Sequence, residues 1–481
     1  MSKKYNKLLF YFITILVAFI SILIHPMNIF VFTNSINYYA NLLVMITFVI
    51  HLYFLLKSNF FYNIKGKVFY FFPLLLIFFL PVIGFFNSLI HTSVHFIEIG
   101  IYSLYYFISS SLILIIFTNI INEKKKIKNN LMYFLFIFLL IINFLIIINL
   151  KEFGYGLLVL NITNDMQVHI NSNGIGRFFA ITTIISGAIY LNTNVRTYFK
   201  LLAAIFFFYF LFLTIITEGR LNFLIIAFGI FFLIFFLIEN TFKKIFLQII
   251  ILAFIILSHN QYIDYKIKRI ETKRDDLLKI TNDFEKYREI NAEITYLKFN
   301  SNRITQNINT QNNFIGCKIC PEFINNDKPN IVFEKLNNIT NGRFYKWAVI
   351  LYVNPKKIFG NGSNADRIIL SDKILKIKYG NVNNDSASSI LYMYSTSGIA
   401  GCIALLIFLL LIFTKFIKDY KKNYLKNNSV IVCAWAIIIM VIIRSLFENS
   451  YAILSVDLFV IIASLTFLNI YKKVSISQKN N

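Results

Sequence analysis

Four arginines stand where this sequence passes from apolar runs into short polar segments. They are Arg177 in NSNGIGRFF, Arg220 in TEGRLNF, Arg343 in NGRFYKW and Arg444 in IIRSLFENSY. Lys heavily outnumbers Arg in the chain, so the choice of residue is itself informative. A guanidinium is always charged, weakly hydrated and flat, with paired donors that match phosphate oxygens; Lys suffices where only positive charge is wanted. Brought together in one polar cleft, the four would hold an anion with several oxygens, such as a diphosphate. Three carboxylates lie beside them or in the next polar segment: Glu218, Glu448, and Asp385 in NNDSASS. Each is a candidate to accept a proton. Simpler roles compete with these. Arginine at the end of a span also reaches to lipid headgroups or pairs with a carboxylate, and Glu218–Arg220 and Arg444–Glu448 are available pairs. Asp385 is equally suited to opening a helix.

The elements that must position these residues are membrane spans. The chain is 57% hydrophobic and only 15% charged, against about 45–50% and about 25% in soluble domains. With 54 Phe in 481 residues, it cannot hide its apolar surface in one water-soluble core. A formal charge of +24 would suggest nucleic acid in a soluble protein. Here it reflects cytoplasmic lysines and a basic outer surface, and no nucleic-acid partner is expected. Apolar runs of spanning length, about 17–25 residues, fall near 8–24, 37–56, 68–86, 101–121, 131–150, 176–193, 199–217, 220–238, 244–259, 386–413, 429–446 and 451–470.

Loop charge tests that series of about twelve spans, because short cytoplasmic loops are rich in Lys and Arg. With Lys3, Lys4 and Lys7 inside, the alternate loops carry Lys57/Lys65/Lys67, Lys124–Lys126 and Lys128, Arg196/Lys200, Lys243/Lys244 and Lys415/Lys418/Lys421/Lys422/Lys426. Lys472 and Lys473 follow the last span. The opposite loops 25–36 and 87–100 contain neither Lys nor Arg. Both termini are therefore expected in the cytoplasm. The expected fold is an all-α polytopic integral membrane protein in three parts: a nine-span bundle over 1–259, a large extracytoplasmic loop over 260–385, and three spans over 386–481. The run after MSKKYNK lacks a small-residue cleavage site and reads as a retained first span.

The long loop is basic, with 21 Lys+Arg against 14 Asp+Glu. Its segment 264–300 has apolar residues spaced for an amphipathic helix, at Ile267, Ile270, Leu277, Phe284, Tyr287 and Ile294. Residues 301–340 are Asn-rich and include CKIC. Cys317 and Cys320 fit a small local disulfide or free thiols, and no second pair in the loop completes a metal site.

Four segments, in this order and topology, resemble the O-antigen polymerase and O-antigen ligase superfamily of bacterial surface-polysaccharide membrane proteins. They are TEGRLNF, NGRFYKWAVILYVNPKKIFGNGSN, NNDSASSILYMYSTSGIAG and IIRSLFENSYAILSVD. The resemblance implies a metal-independent glycosyltransferase embedded in the bacterial inner membrane, with its large loop periplasmic, no cofactor, and an undecaprenyl-diphosphate-linked glycan as donor. Arg177, Arg220, Arg343 and Arg444 would hold the diphosphate, Asn384 and Trp347 would contact the glycan, and Asp385, Glu218 or Glu448 would serve as base. Family ligases carry a His at the polar start of the span after the loop, whereas this chain reads NNDSASS there. That favours polymerase over ligase. The implied partners are membrane lipids and a chain-length regulator. A lipid-linked glycan transporter is the rival of another class, although no internal repeat supports it.

Overall fold

A computed structural model describes residues 72–90, 96–121, 172–192, 195–216, 220–280, 343–353, 357–366, 388–451 and 456–479, with single-residue or two-residue gaps, and a few isolated positions. Ten helices occupy these residues. In chain order they are α1 (Phe72–Ile90), α2 (Phe96–Ile121), α3 (Ser172–Tyr190), α4 (Thr197–Ile216) and α5 (Arg220–Leu237). Then come α6 (Thr241–Ile280), α7 (Arg343–Val353), α8 (Ser389–Lys421), α9 (Ser429–Ser445) and α10 (Val456–Lys479). One two-residue antiparallel pairing accompanies them, Phe30–Val31 with His169–Ile170.

Among the described residues, three helices are long and apolar enough to cross a membrane: Thr197–Ile215, Thr241–Tyr262 and Ser389–Lys421. Shorter apolar helices pack with them at Phe72–Asn87, Gly176–Tyr190, Leu221–Leu237, Ser429–Ser445 and Asp457–Leu468. The protein is thus a helical bundle of membrane type. Its outer faces agree with that, since α4, α6 and α8 expose Leu201, Ile205, Phe246, Ile249, Leu410 and Phe413. Side chains of this kind in such numbers need lipid rather than water beside them. Apart from the isolated positions Ile46, Val49 and Leu140, the expected spans 8–24, 37–56 and 131–150 lie outside the described residues, as do Cys317 and Cys320.

Inside, α3 packs on α4, α5 and α9; α9 packs on α5 and α10; α1 joins α2 to α8. Phe78, Phe178, Phe179, Phe210, Phe408 and Trp435 fill this interior. Two features depart from the pattern of apolar runs. First, α6 does not stop where its apolar run ends at 259. It continues as one helix to Ile280, because residues 241–280 contain no Gly or Pro to break it. At about 1.5 Å per residue its 40 residues reach about 60 Å, twice a bilayer's hydrocarbon thickness of about 30 Å. The expected amphipathic helix over 264–300 is, as far as residue 280, the continuation of this span; residues 281–300 lie outside the described set.

Second, α8 is broken at Gly398, whose φ of +66° and ψ of −156° lie in a region only glycine enters readily. A break orphans backbone groups, which is costly where water is excluded. The segment 357–363 satisfies them. Asn361 N and Gly362 N donate to the carbonyls of Ser395 and Thr396. Ile399 N and Ala400 N donate to those of Lys357 and Ile358. The same strap is tied to α1 by Asn87, whose amide donates to Phe359 O, and to α2 by Ser363 N donating to Ser103 Oγ. Gly84 of α1 lets the strap and α8 approach, since a Cβ there would stand 2.4 Å from Thr396 O.

Candidate functional site

The site is built where α3, α5, α7, α8 and α10 begin and α9 ends. Arg444 is the penultimate residue of α9 and is 1% exposed. Its Nε donates to Asp457 Oδ2 at 3.0 Å and its Nη1 to Asn222 Oδ1 at 2.6 Å. Asp457 lies in the first turn of α10 and Asn222 in the first turn of α5. One carboxylate oxygen serves three donors or near-donors. Asp457 Oδ2 also accepts from Ser450 Oγ at 2.8 Å and lies 3.7 Å from Arg177 Nη1. Arg177, in the second turn of α3, is buried as well, and its Nε has no hydrogen-bond partner among the described residues. An unpaired guanidinium N–H out of water is costly, so this atom marks a place where a further acceptor would be stabilising.

Arg343 begins α7, on the same side of the cluster, and its Nη2 donates to Glu448 Oε1 at 3.1 Å. This pair is more open than the first, at 25% and 16% side-chain exposure. The turn that carries Glu448 is pinned by three hydrogen bonds, two of them through Ser389 Oγ. Ser389 Oγ donates to Glu448 O, Ser450 N donates to Ser389 Oγ, and Tyr106 of α2 donates to Tyr451 O at 2.6 Å. Trp347 lies one turn beyond Arg343 on α7, half-buried and edge-on to Phe344.

Arg177, Arg343 and Arg444 therefore come together around Asp457 and Glu448. Among the described residues the cluster holds three positive and two negative charges. Arg220 opens α5 two residues before Asn222, so its backbone stands at the same end; its side chain, with Glu218, Asn384 and Asp385, lies outside the described residues. The available pair Arg444–Glu448 does not form. Helix α9 ends at Ser445, so the four-residue spacing leaves the helix before it reaches Glu448, and each residue takes a more distant partner.

The site also includes residues that the sequence reading left without a role: Asp457, Asn222 and Ser450. Asp457 carried a usable signal, a carboxylate at the head of the apolar run DLFVIIASL, since an acid entering a span usually faces a partner inside the bundle. Asn222 carried none beyond standing two residues after Arg220. Comparison of the chain with family models, with characterised proteins and with solved structures finds no match.

Proposed function

We propose that this protein is a membrane glycosyltransferase that polymerises undecaprenyl-diphosphate-linked repeat units into a bacterial surface polysaccharide of the O-antigen kind. The observation that carries the reading is the gathering of Arg177, Arg343 and Arg444 at one end of the bundle, with a buried Arg177 Nε still lacking an acceptor. A diphosphate headgroup would enter at that end with its lipid tail remaining in the bilayer. An acceptor hydroxyl of one glycan attacks the anomeric carbon of another. The new C–O bond forms as the bond from carbon to phosphate oxygen breaks, and that electron pair leaves with the undecaprenyl diphosphate. The hydroxyl proton passes to a carboxylate, for which Asp385, Glu218 and Glu448 are the candidates. Arginines held in a low-dielectric cleft stabilise the charge that develops on the leaving diphosphate.

In this reading the protein lies in the bacterial inner membrane with both termini cytoplasmic and residues 260–385 periplasmic. Asn384 and Trp347 meet the glycan, and a chain-length regulator meets the enzyme in the membrane. The test is the gel profile of surface glycan from cells lacking the gene, complemented with wild type or Arg220→Ala at matched expression. A core bearing a single repeat unit on deletion, with no ladder restored by Arg220→Ala, is the expected result. Bare core with accumulated lipid-linked polymer would indicate transfer to lipid A–core instead. An unaltered ladder on deletion would refute both.

A further inference from the structure

The arginines of the cluster are not equivalent, and their differences assign them different work. Arg444 is enclosed, and two of its nitrogens are already committed to Asp457 and Asn222 on two other helices. It acts as a strut joining α9 to α5 and α10. Arg177 is also buried, at 7% exposure against 1% for Arg444, but loosely held: among the described residues its nearest carboxylate oxygen is 3.7 Å away and its Nε has no partner. Asp457 Oδ2 is the point common to both, fixed by Ser450 Oγ from the preceding turn.

We propose that Asp457 is the positioning residue of an oxyanion site, locking Arg444 in place with Asn222 and thereby turning Arg177 toward a diphosphate-like ligand. This rests on the anion-binding part of the function proposed above and is independent of the sugar chemistry. Asp457 acts through the two guanidiniums and does not itself touch the ligand.

The proposal makes a prediction opposite in sign to plain electrostatics. A carboxylate near an anion site repels the anion, so its neutralisation should by charge alone tighten binding, by roughly fivefold or more at about 4 Å. If Asp457 instead holds the guanidiniums in register, its neutralisation lets them shift and weakens binding. Asn222 supplies a control free of charge, because it holds the other side of Arg444 and is neutral. Arg177 supplies the second control. Once the ligand-facing guanidinium is gone, the alignment of its neighbours has little left to support.

The experiment titrates full-length protein in nanodiscs with inorganic pyrophosphate, followed by calorimetry. It compares wild type, Asp457→Asn, Asp457→Glu, Asn222→Ala, Arg177→Gln and the double variant Arg177→Gln/Asp457→Asn. Asp457→Asn is expected to bind about tenfold more weakly or worse, Asp457→Glu to recover part of that, and Asn222→Ala to lose a fewfold. The double variant should bind no more weakly than Arg177→Gln alone, which a general structural defect would not produce. Equal or tighter binding by folded Asp457→Asn overturns the proposal, as does a wild type that binds no pyrophosphate. Should Asp457→Asn not fold, Asn222→Ala decides alone, with unchanged affinity overturning the proposal. An unaltered glycan ladder in the deletion strain, beside the expected binding losses, would remove the polymerase reading and leave this one standing.

Discussion

Gly398→Ala should loosen the bundle at the break in α8. At φ +66° and ψ −156°, an alanine is held in a backbone region nearly exclusive to glycine, at about 1–3 kcal/mol. Its Cβ would also stand 2.4 Å from Ile358 O and 2.6 Å from Lys357 O. Both are backbone atoms, so no side chain can rotate away. Relief requires the strap to move, and the bonds from Ile399 N and Ala400 N go with it. At about 1 kcal/mol each, their loss brings the total to about 3–5 kcal/mol. With an unfolding entropy of about 2.1 cal/mol/K per residue, a chain of 481 residues shifts by about 1 °C per kcal/mol, so the melting temperature should fall by roughly 3–5 °C. The assay is fluorescence-detected size exclusion of heated, detergent-solubilised protein. Gly187→Ala is the control, because the atoms nearest its Cβ are side-chain atoms of Phe207 and Leu233, at 3.1 Å or more, which can give where backbone cannot, and alanine gains helix propensity there. Equal melting of the two variants would refute the account of the break.

Further expectations follow from the cluster and its surroundings. Arg444→Ala leaves Asp457 without its closest buried counter-charge. It should cost about 3–5 kcal/mol, seen as loss of the monodisperse peak at temperatures the wild type survives. Glu448→Gln acts on a partly open pair and should change stability by no more than about 1 kcal/mol. It frees Arg343 from a competing anion, however, so pyrophosphate should bind a fewfold tighter, and weaker binding would argue against Arg343 as a ligand. Tyr106→Phe removes the hydroxyl that donates to the carbonyl of Tyr451. A loss of about 1–2 kcal/mol is expected, read as a lower melting temperature with the bilayer-facing surface unchanged.

The sequence shows where helices begin and end wherever an apolar run is bounded by charge or turn residues. The expected spans 199–217, 220–238 and 429–446 fall within a residue or two of α4, α5 and α9. It is silent where composition and backbone part company. In SILYMYSTSGIAGCIALL the residues run on without a charge, yet the helix breaks inside them, because what makes the break tolerable is a strap that arrives from another part of the chain. The reverse holds at His259, where polarity changes but no residue interrupts the helix. Ion-pair partners were legible only in part. The types Arg and Glu at Arg444 and Glu448 suggested a local pair, and the chain instead joins residues 105 positions apart, Arg343 and Glu448. Which acid meets which base depends on how the helices stack, and that is set by packing on faces that all read alike as Phe, Leu and Ile.

The strap has a consequence for how the protein is made. Its anchor on Asn87 is reached by a carbonyl 272 residues later in the chain, and Gly84 waits for a partner in α8. At about 5–20 residues per second, α1 spends roughly 15–55 s on or in the bilayer with its small-residue groove unfilled and its asparagine amide unanswered. During that interval something other than the strap and α8 occupies the space, whether lipid, water, an earlier part of the chain or the insertion machinery. Mutations at Gly84 or Asn87 should then show first as a shortfall in newly made protein, before any defect appears in molecules that have completed assembly.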